Sequence, residues 1–173
     1  NIIGSRYDTY GSDICEAEDE SKFLLMSSSS YKKGVLSDPL VIKLDRNHKS
    51  VWQTSINRSN SRSGSIQSIV SSEDGGCIMA GTNYGQAGSS ICEIIKLNKD
   101  GGAEFRKLIK PGIDTLGGSA YRIIRSIDGN YLVTGYCQTS DIGYDNFLFK
   151  INSKGDILWN NAYIIDGLAF NAN

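Results

Sequence analysis

Short segments that are continuously apolar or alternate between apolar and polar residues recur along the chain, separated by turn residues. SIQSIVSS, CIMAGTN, ICEIIKLN and AEFRKLI follow one another, and AYRIIRS, YLVTGYC, NFLFKIN and ILWNNAYI repeat that order. Segments of this length, rich in Ile, Val, Tyr and Phe, are typical of strands. Turns such as EDGG and NSKG supply the positive φ that tight hairpins require. The pattern therefore predicts antiparallel strands in groups of four, and no segment shows a convincing helical period.

The groups of four strands repeat at a nearly constant interval. The phrase KLDRNHKSVW begins at Lys43 and recurs as KLNKDGGAEF at Lys96 and as KINSKGDILW at Lys150, 53 and 54 residues apart. Upstream, SSEDGGCIMAG and RSIDGNYLVTG match, and AEDESKFLLMS is a degenerate first copy in which Ser27 takes the position of Gly81. A period near 50 residues is typical of propellers and other repeat arrays.

The sequence thus predicts an all-β chain of three four-stranded antiparallel units, which are the blades of a β-propeller. The units lie at approximately 12–56, 65–109 and 119–164, and residues 165–173 start a further unit. Because three blades are fewer than the four to eight that close a propeller, we expect residues 1–173 to be a propeller fragment. The expected complement is further blades of the same chain or a second copy. We favour the first, because open blade faces expose apolar surface.

The repeat resembles a bacterial and archaeal β-propeller repeat family. Its units read DGGYIVAG, a polar loop, a strand ending in KLD or KLN, a glycine turn and Trp. The resemblance covers roughly Ser12 to Tyr163 and is clearest in DGGCIMAG, DGNYLVTG, IIKLNKDGG and FLFKINSKGDILW. Such proteins are typically secreted or surface-attached and usually lack a known activity. The resemblance implies an extracellular or cell-surface protein, for example a lipoprotein or another anchored protein.

The recurring residues are expected to be structural. Trp52, Phe105 and Trp159 open the outer strand of each unit, where they would cover the cleft between neighbouring units. Gly81 and Gly135 are expected to mark a close backbone approach or a bulge. The lysines that begin the repeated phrase are expected to lay their stems along apolar surface with their amines in water.

Composition and spacing argue against several kinds of chemistry. A net charge of −1 and a pI near 5.8 give no attraction to nucleic acid, and no apolar run approaches the roughly 20 residues that span a bilayer. His48 is the one histidine and falls in a hairpin turn, so neither a catalytic triad nor a histidine-rich metal site is predicted. The cysteines lack CxxC spacing and are expected to be buried apolar residues, not disulfides: Cys15, Cys77, Cys92 and Cys137.

No cofactor or metal is predicted either. Asp45, Asn98 and Asp100 lie in turns that lack the spacing of an EF-hand, so ordinary hairpin chemistry explains them. The trailing Trp is similar to that of quinoprotein dehydrogenases, but the chain has no adjacent cysteine pair.

The long connections, between strands two and three and between units, are expected to emerge on one face. Loops of this kind on a rigid framework commonly carry binding sites, and tyrosines among short polar residues suit contacts with protein or glycan. The candidate binding residues are Tyr7, Tyr10, Tyr31, Arg58, Arg62, Tyr84, Asp114, Asp141 and Tyr144.

We therefore expect a non-enzymatic module that binds protein or carbohydrate through its loop-rich face. Three alternatives stay open. One is a propeller enzyme, such as a quinoprotein-like oxidoreductase or a polysaccharide lyase, whose active residues lie in further blades. The second is a structural spacer or assembly subunit. The third is that the loops are solvated and have no partner.

Overall fold

The computed structural model describes residues 8–29, 38–56, 63–85, 90–112, 115–139 and 143–163. Within these ranges there are twelve strands and no helix. They are β1 (Asp8–Glu16), β2 (Lys22–Ser29), β3 (Leu40–Leu44), β4 (Ser50–Ser55), β5 (Ser63–Ser71), β6 (Cys77–Tyr84), β7 (Ser90–Leu97), β8 (Ala103–Ile109), β9 (Thr115–Arg125), β10 (Tyr131–Thr139), β11 (Tyr144–Ile151) and β12 (Ile157–Tyr163).

The twelve strands form three separate four-stranded sheets. The strand orders are β1-β2-β3-β4, β5-β6-β7-β8 and β9-β10-β11-β12, and all neighbouring strands run antiparallel. We call these sheets units 1, 2 and 3. The predicted all-β fold of three blade-like, four-stranded antiparallel units is confirmed.

Strand register places the repeated residues at equivalent positions in the three units. Each lysine of the repeated phrase lies opposite the aromatic residue that ends it: Lys43 and Trp52, Lys96 and Phe105, Lys150 and Trp159. A one-residue irregularity follows each of these pairs toward the hairpin turn. The repeat in the sequence therefore corresponds to a repeat in strand pairing.

The six hairpin turns within the units share one geometry, in which the fourth of five residues has a positive φ. Glycine takes this position in units 2 and 3, whereas Glu20 and His48 take it in unit 1, with φ of 63° and 61°.

Strand register corrects the sequence alignment of the first unit by one residue. Because Met26 lies opposite Leu40 as Gly81 lies opposite Glu93, Met26 and not Ser27 is the equivalent of Gly81.

Unit 2 is the central layer and is buried on both faces. Apolar residues of β6 and β7 point alternately into two apolar cores, so both strands are almost completely buried, including Glu93 and Lys96 of β7. The core shared with unit 1 includes Phe23, Leu25, Val41, Cys77, Met79, Ile95 and Leu97. The core shared with unit 3 includes Ile78, Ala80, Ile94, Val133, Phe147, Phe149 and Ile151.

Candidate functional site

Three of the predicted binding residues lie within the described part of the chain. Tyr10 on β1, Tyr84 at the end of β6 and Tyr144 at the start of β11 are all exposed. The other predicted binding residues lie outside the described residues: Tyr7, Tyr31, Arg58, Arg62, Asp114 and Asp141.

Tyr144 belongs to a group of three tyrosines that crosses unit 3 at its loop end. Its ring meets Tyr136 edge-on, with centroids 5.1 Å apart, and Tyr136 meets Tyr121 at 5.4 Å. Ser119 Oγ donates a hydrogen bond of 3.1 Å to the Tyr136 hydroxyl. We call Tyr121, Tyr136 and Tyr144 the tyrosine cluster. Its two outer members are the exposed ones, at 49% for Tyr121 and 73% for Tyr144.

Tyr84 extends the cluster from the neighbouring unit. Partial burial, together with the nearby phenols of Tyr136 and Tyr84, raises the pKa of Tyr121. The Tyr121 phenol therefore stays protonated at neutral pH, where it can donate and accept hydrogen bonds. The loop ends of units 2 and 3 thus bring two predicted residues, Tyr84 and Tyr144, together with two that were not predicted.

A β-bulge places Tyr121 in this group. Ala120 lies opposite Gly135 and Arg122 opposite Thr134, so Tyr121 is the extra residue without a partner on β10. Gly135 permits the bulge, because a Cβ there would come within 1.9 Å of the Ser119 carbonyl oxygen. A Cβ on Gly81 would likewise come within 2.0 Å of the Ser65 carbonyl oxygen. Since Tyr121 and Tyr136 lie within strands, a search of the loops alone could not find them.

Two of the three repeated aromatic residues, Trp52 and Phe105, pack on the unit that follows them. Trp52 Nε1 donates a hydrogen bond of 2.8 Å to the Lys99 carbonyl oxygen in the fourth hairpin turn of the chain, which is the last hairpin turn of unit 2. The ring of Phe105 packs against Gly155 at the equivalent turn of unit 3, so closely that a Cβ on Gly155 would lie 2.8 Å from the ring. Trp159 remains 37% exposed. Phe105 and Trp52 therefore cover clefts between units, whereas Trp159 has no such cover from the described residues.

The lysine amines do not point into water, and this expectation was wrong. Lys96 Nζ is paired with Asp74 and lies 2.8 Å from Glu104, with its side chain only 8% exposed. Lys150 Nζ bonds to Asp128 at 2.6 Å, and Lys43 Nζ donates to the Gly75 carbonyl oxygen at 2.9 Å. In units 2 and 3, the register of the second and third strands brings the amine beside the first hairpin turn of the same unit. In unit 1, the packing of the unit against unit 2 brings the Lys43 amine beside the first hairpin turn of unit 2.

The carboxylates that receive these lysines also shape their own turns. Asp74 accepts hydrogen bonds from the Gly76 amide and the Ser72 hydroxyl as well as from Lys96. Burial acts to raise the pKa of Asp74, but these hydrogen bonds outweigh it and hold the pKa below its ordinary value. Hydrogen bonds from Lys150 and Asn130 lower the pKa of Asp128 in the same way.

A polar cleft of about 360 Å³ lies between the first hairpin turns of units 2 and 3. Its lining includes Asp74, Lys96, Asp128, Asn130 and Tyr131. Nearby, Arg125 bridges Glu18 of unit 1 and Glu73 of unit 2. The charged groups that line the cleft are all paired: Asp74 with Lys96 and Asp128 with Lys150 within units, and Glu73 with Arg125 between units. Its chemistry is therefore that of structural ion pairs.

Within the described ranges, no group of three or more His, Cys, Asp and Glu residues is placed to hold a metal ion. The same residues include no helix of the length and hydropathy needed to cross a membrane. All four cysteines are free thiols, and three of them are fully buried: Cys77, Cys92 and Cys137.

No protein-family model matches the chain, and no curated protein matches it. Among solved structures, it is similar to a protein of unknown function from Bacteroides caccae, with a TM-score of 0.34 and 10% sequence identity. The match covers 93% of this chain and 70% of that one.

Proposed function

We propose that this chain is a non-enzymatic binding module of an extracellular or cell-surface protein, and that it contacts protein or carbohydrate through its loop end. The observation that carries the proposal is the group of four tyrosines at the loop ends of units 2 and 3, of which Tyr84, Tyr121 and Tyr144 are exposed. The rings stand on strands held by two apolar cores, so they lose little conformational freedom on binding.

Tyrosine suits this role because it offers an apolar face and a hydroxyl at the same time. A ring can stack on the apolar face of a sugar or on a peptide, while the hydroxyl bonds to polar groups of the ligand. The protonated state of Tyr121 keeps this capacity at neutral pH.

The extracellular location rests on the repeat itself and is part of the proposal. Secretion can be tested separately by locating the native protein with an antibody in fractions of its source cells. Recovery from the cytoplasm alone would contradict that part.

The binding surface is tested by comparing paired substitutions on the two ends of the sheets. Tyr84→Ala with Tyr121→Ala alters the loop end, and Lys99→Ala with Lys154→Ala alters exposed residues of the turn end as a matched control. A glycan array and a panel of extracellular matrix proteins serve as probes. We expect the tyrosine pair to lower retention at least tenfold and the lysine pair to leave it unchanged. Binding lost through the lysine pair alone would contradict the proposed surface.

A further inference from the structure

One type of contact between units occurs twice in this chain. We call the side of a unit that carries its repeated aromatic residue the aromatic face, and the other side the receiving face. The aromatic face of unit 1 packs on the receiving face of unit 2, and that of unit 2 packs on unit 3. Both contacts enclose an apolar core and bring an aromatic ring onto the last hairpin turn of the following unit.

The aromatic face of unit 3 has apolar residues at several of the positions that are buried in units 1 and 2, with Thr134 at the position of Leu25 and Ala80, and no described unit lies against it. Register makes Leu132 the equivalent of Phe23 and Ile78, which are both fully buried. Ile124 and Trp159 also lie on this face, and they are 47% and 37% exposed. A face with exposed apolar residues at positions that are buried in the two existing contacts is built to be covered.

The two existing contacts specify what a covering unit must have at its hairpin turn. Gly101 faces the ring of Trp52, and a Cβ on it would lie 2.9 Å from Cδ2 of the indole. Gly155 faces the ring of Phe105, with a corresponding distance of 2.8 Å. The fourth residue of a turn that receives such a ring must therefore be glycine, because a Cβ would meet the ring; the positive φ at this position also favours glycine.

A second requirement concerns the first residue of the second strand. Cys77 and Tyr131 occupy this position in units 2 and 3, and both are buried in the core shared with the preceding unit. The receiving face must therefore present a group there that can be buried without a charge.

Unit 1 meets neither requirement. It has His48 at the position of the glycine and Lys22 at the position of Cys77. The Lys22 amine is engaged on its own unit, 3.0 Å from Glu16 and 2.7 Å from the Glu20 carbonyl oxygen. If unit 1 of a second copy covered this face, the His48 side chain would meet the ring of Trp159, and the Lys22 ammonium group would be buried.

We propose that the aromatic face of unit 3 binds another four-stranded unit of this repeat, and that unit 1 of a second copy is not that unit. The partner has glycine at the fourth position of its last hairpin turn and a neutral residue at the start of its second strand. Tyr136 and Tyr144 lie on this same face, at the positions of Thr82 and Ser90 in unit 2, which are buried and half-buried. Tyr121 is therefore the tyrosine of unit 3 that stays accessible in such an assembly, because Gln67, its equivalent at the bulge of unit 2, is exposed although unit 2 has neighbours on both sides.

The experiment supplies unit 3 with a receiving face that the chain already contains. The whole chain is extended after Asn173 by a second copy of residues 63–109. The sequence has two tryptophans, so Trp52→Phe leaves Trp159 as the single tryptophan of the extended chain. Tryptophan emission and its quenching by acrylamide then report whether Trp159 is covered. We expect a blue shift and a quenching constant at least twofold lower than in the unextended chain.

Two substitutions within the appended copy separate ring contact from turn strain. Gly101→His places a side chain against Trp159, and we expect it to restore quenching to the unextended level. Gly75→His imposes a similar positive φ at a turn where no ring lies nearby, and we expect Trp159 to stay covered. Equal quenching in these two variants, or no protection by the unsubstituted copy, would overturn the proposal.

The unextended chain is measured by sedimentation velocity over a hundredfold range of concentration. We expect a monomer with Trp159 accessible throughout. A dimer in which Trp159 becomes protected would assign the face to a second copy and overturn the proposal. Neither the quenching nor the sedimentation measurement uses a ligand of the loop end. Failure of this proposal is therefore distinguishable from failure of the proposed binding function.

Discussion

The indole of Trp52 and the backbone of Gly101 form a contact between two units that leaves no room for a side chain. The indole Nε1 bonds to the Lys99 carbonyl oxygen at 2.8 Å, and Thr54 Oγ1 donates to the Gly101 carbonyl oxygen at 2.9 Å. A ring and a hydroxyl of unit 1 therefore hold the same turn of unit 2. Trp52 and Gly101 both lie at repeated positions of the sequence. The repeat therefore preserves the residues that pack neighbouring units together.

Gly101→Ala is expected to destabilise the chain more than Gly75→Ala. Both glycines have a positive φ, so both substitutions carry the same backbone cost. Only at Gly101 does the new methyl group meet a ring, at 2.9 Å, whereas at Gly75 the nearest atom is 3.5 Å away. Overpacking of this kind costs about 1–3 kcal/mol, which is the expected difference in the free energy of unfolding by urea. Equal losses would show that the ring moves aside freely.

Trp52→Ala is expected to destabilise the chain more than Trp159→Ala. Trp52 contacts both the core shared with unit 2 and the following turn, whereas Trp159 is not covered by a described unit. Removal of a packed aromatic side chain costs about 3–5 kcal/mol, and the partly exposed Trp159 should cost about 1 kcal/mol. Urea denaturation of the two variants measures the difference. A larger loss for Trp159→Ala would mean that its ring is covered in solution.

His48→Gly is expected to stabilise the chain by about 0.5–1 kcal/mol. His48 has a φ of 61°, a backbone conformation that costs a residue with a Cβ about 1–2 kcal/mol. Glycine removes that cost but loses part of the gain through greater freedom in the unfolded chain. The midpoint of thermal unfolding should rise accordingly. His48→Ala, which keeps the Cβ, is the control and should give no such gain.

The period of the sequence was sufficient to predict the strands and the three units. These features depend on local turn chemistry and on alternation, which are visible in the letters. The position of the Lys96 amine was predicted wrongly, because Asp74 lies 22 residues away and meets it only through the register of β6 and β7.

The tyrosine cluster depended even more on three-dimensional structure. Tyr121 and Tyr136 lie on different strands, and the bulge opposite Gly135 places Tyr121 beside Tyr136. A glycine at the same place in two units is the sequence signal for such a bulge, but it does not say which side chains the bulge brings together.

The four cysteines are expected to resist thiol reagents in the folded chain. Burial, reinforced by the nearby Asp13 carboxylate, raises the pKa of the Cys15 thiol to about 12. Burial also raises the pKa of Cys77, Cys92 and Cys137. Because the thiolate is the reactive form, Ellman's reagent at pH 8 should find fewer than one thiol per native chain and four in denaturant. Rapid reaction of the native protein would contradict this burial.

The Asp74–Lys96 pair is expected to make stability depend on pH at the acidic end. The pKa of Asp74 lies below its ordinary value of 3.8 in the folded chain, so its contribution is present above that value and is lost as the pH falls through the folded pKa. Asp74→Asn should lower stability at pH 7 and flatten its decline below about pH 4. The pKa of Lys96 is raised, because its hydrogen bonds to Asp74 and Glu104 outweigh burial, so its contribution persists through neutral pH.

Lys96→Ala and Lys99→Ala separate the buried pair from an exposed one. Loss of the Lys96 amine leaves Asp74 and Glu104 without their shared partner and should cost about 1–3 kcal/mol at pH 7. Lys99 pairs with Asp100 at the surface, and its loss should cost less than about 0.5 kcal/mol. Urea denaturation at pH 7 and pH 3 measures both variants against the parent chain. If Lys96→Ala matched Lys99→Ala at pH 7, the lysines of the repeat would contribute only as exposed charges.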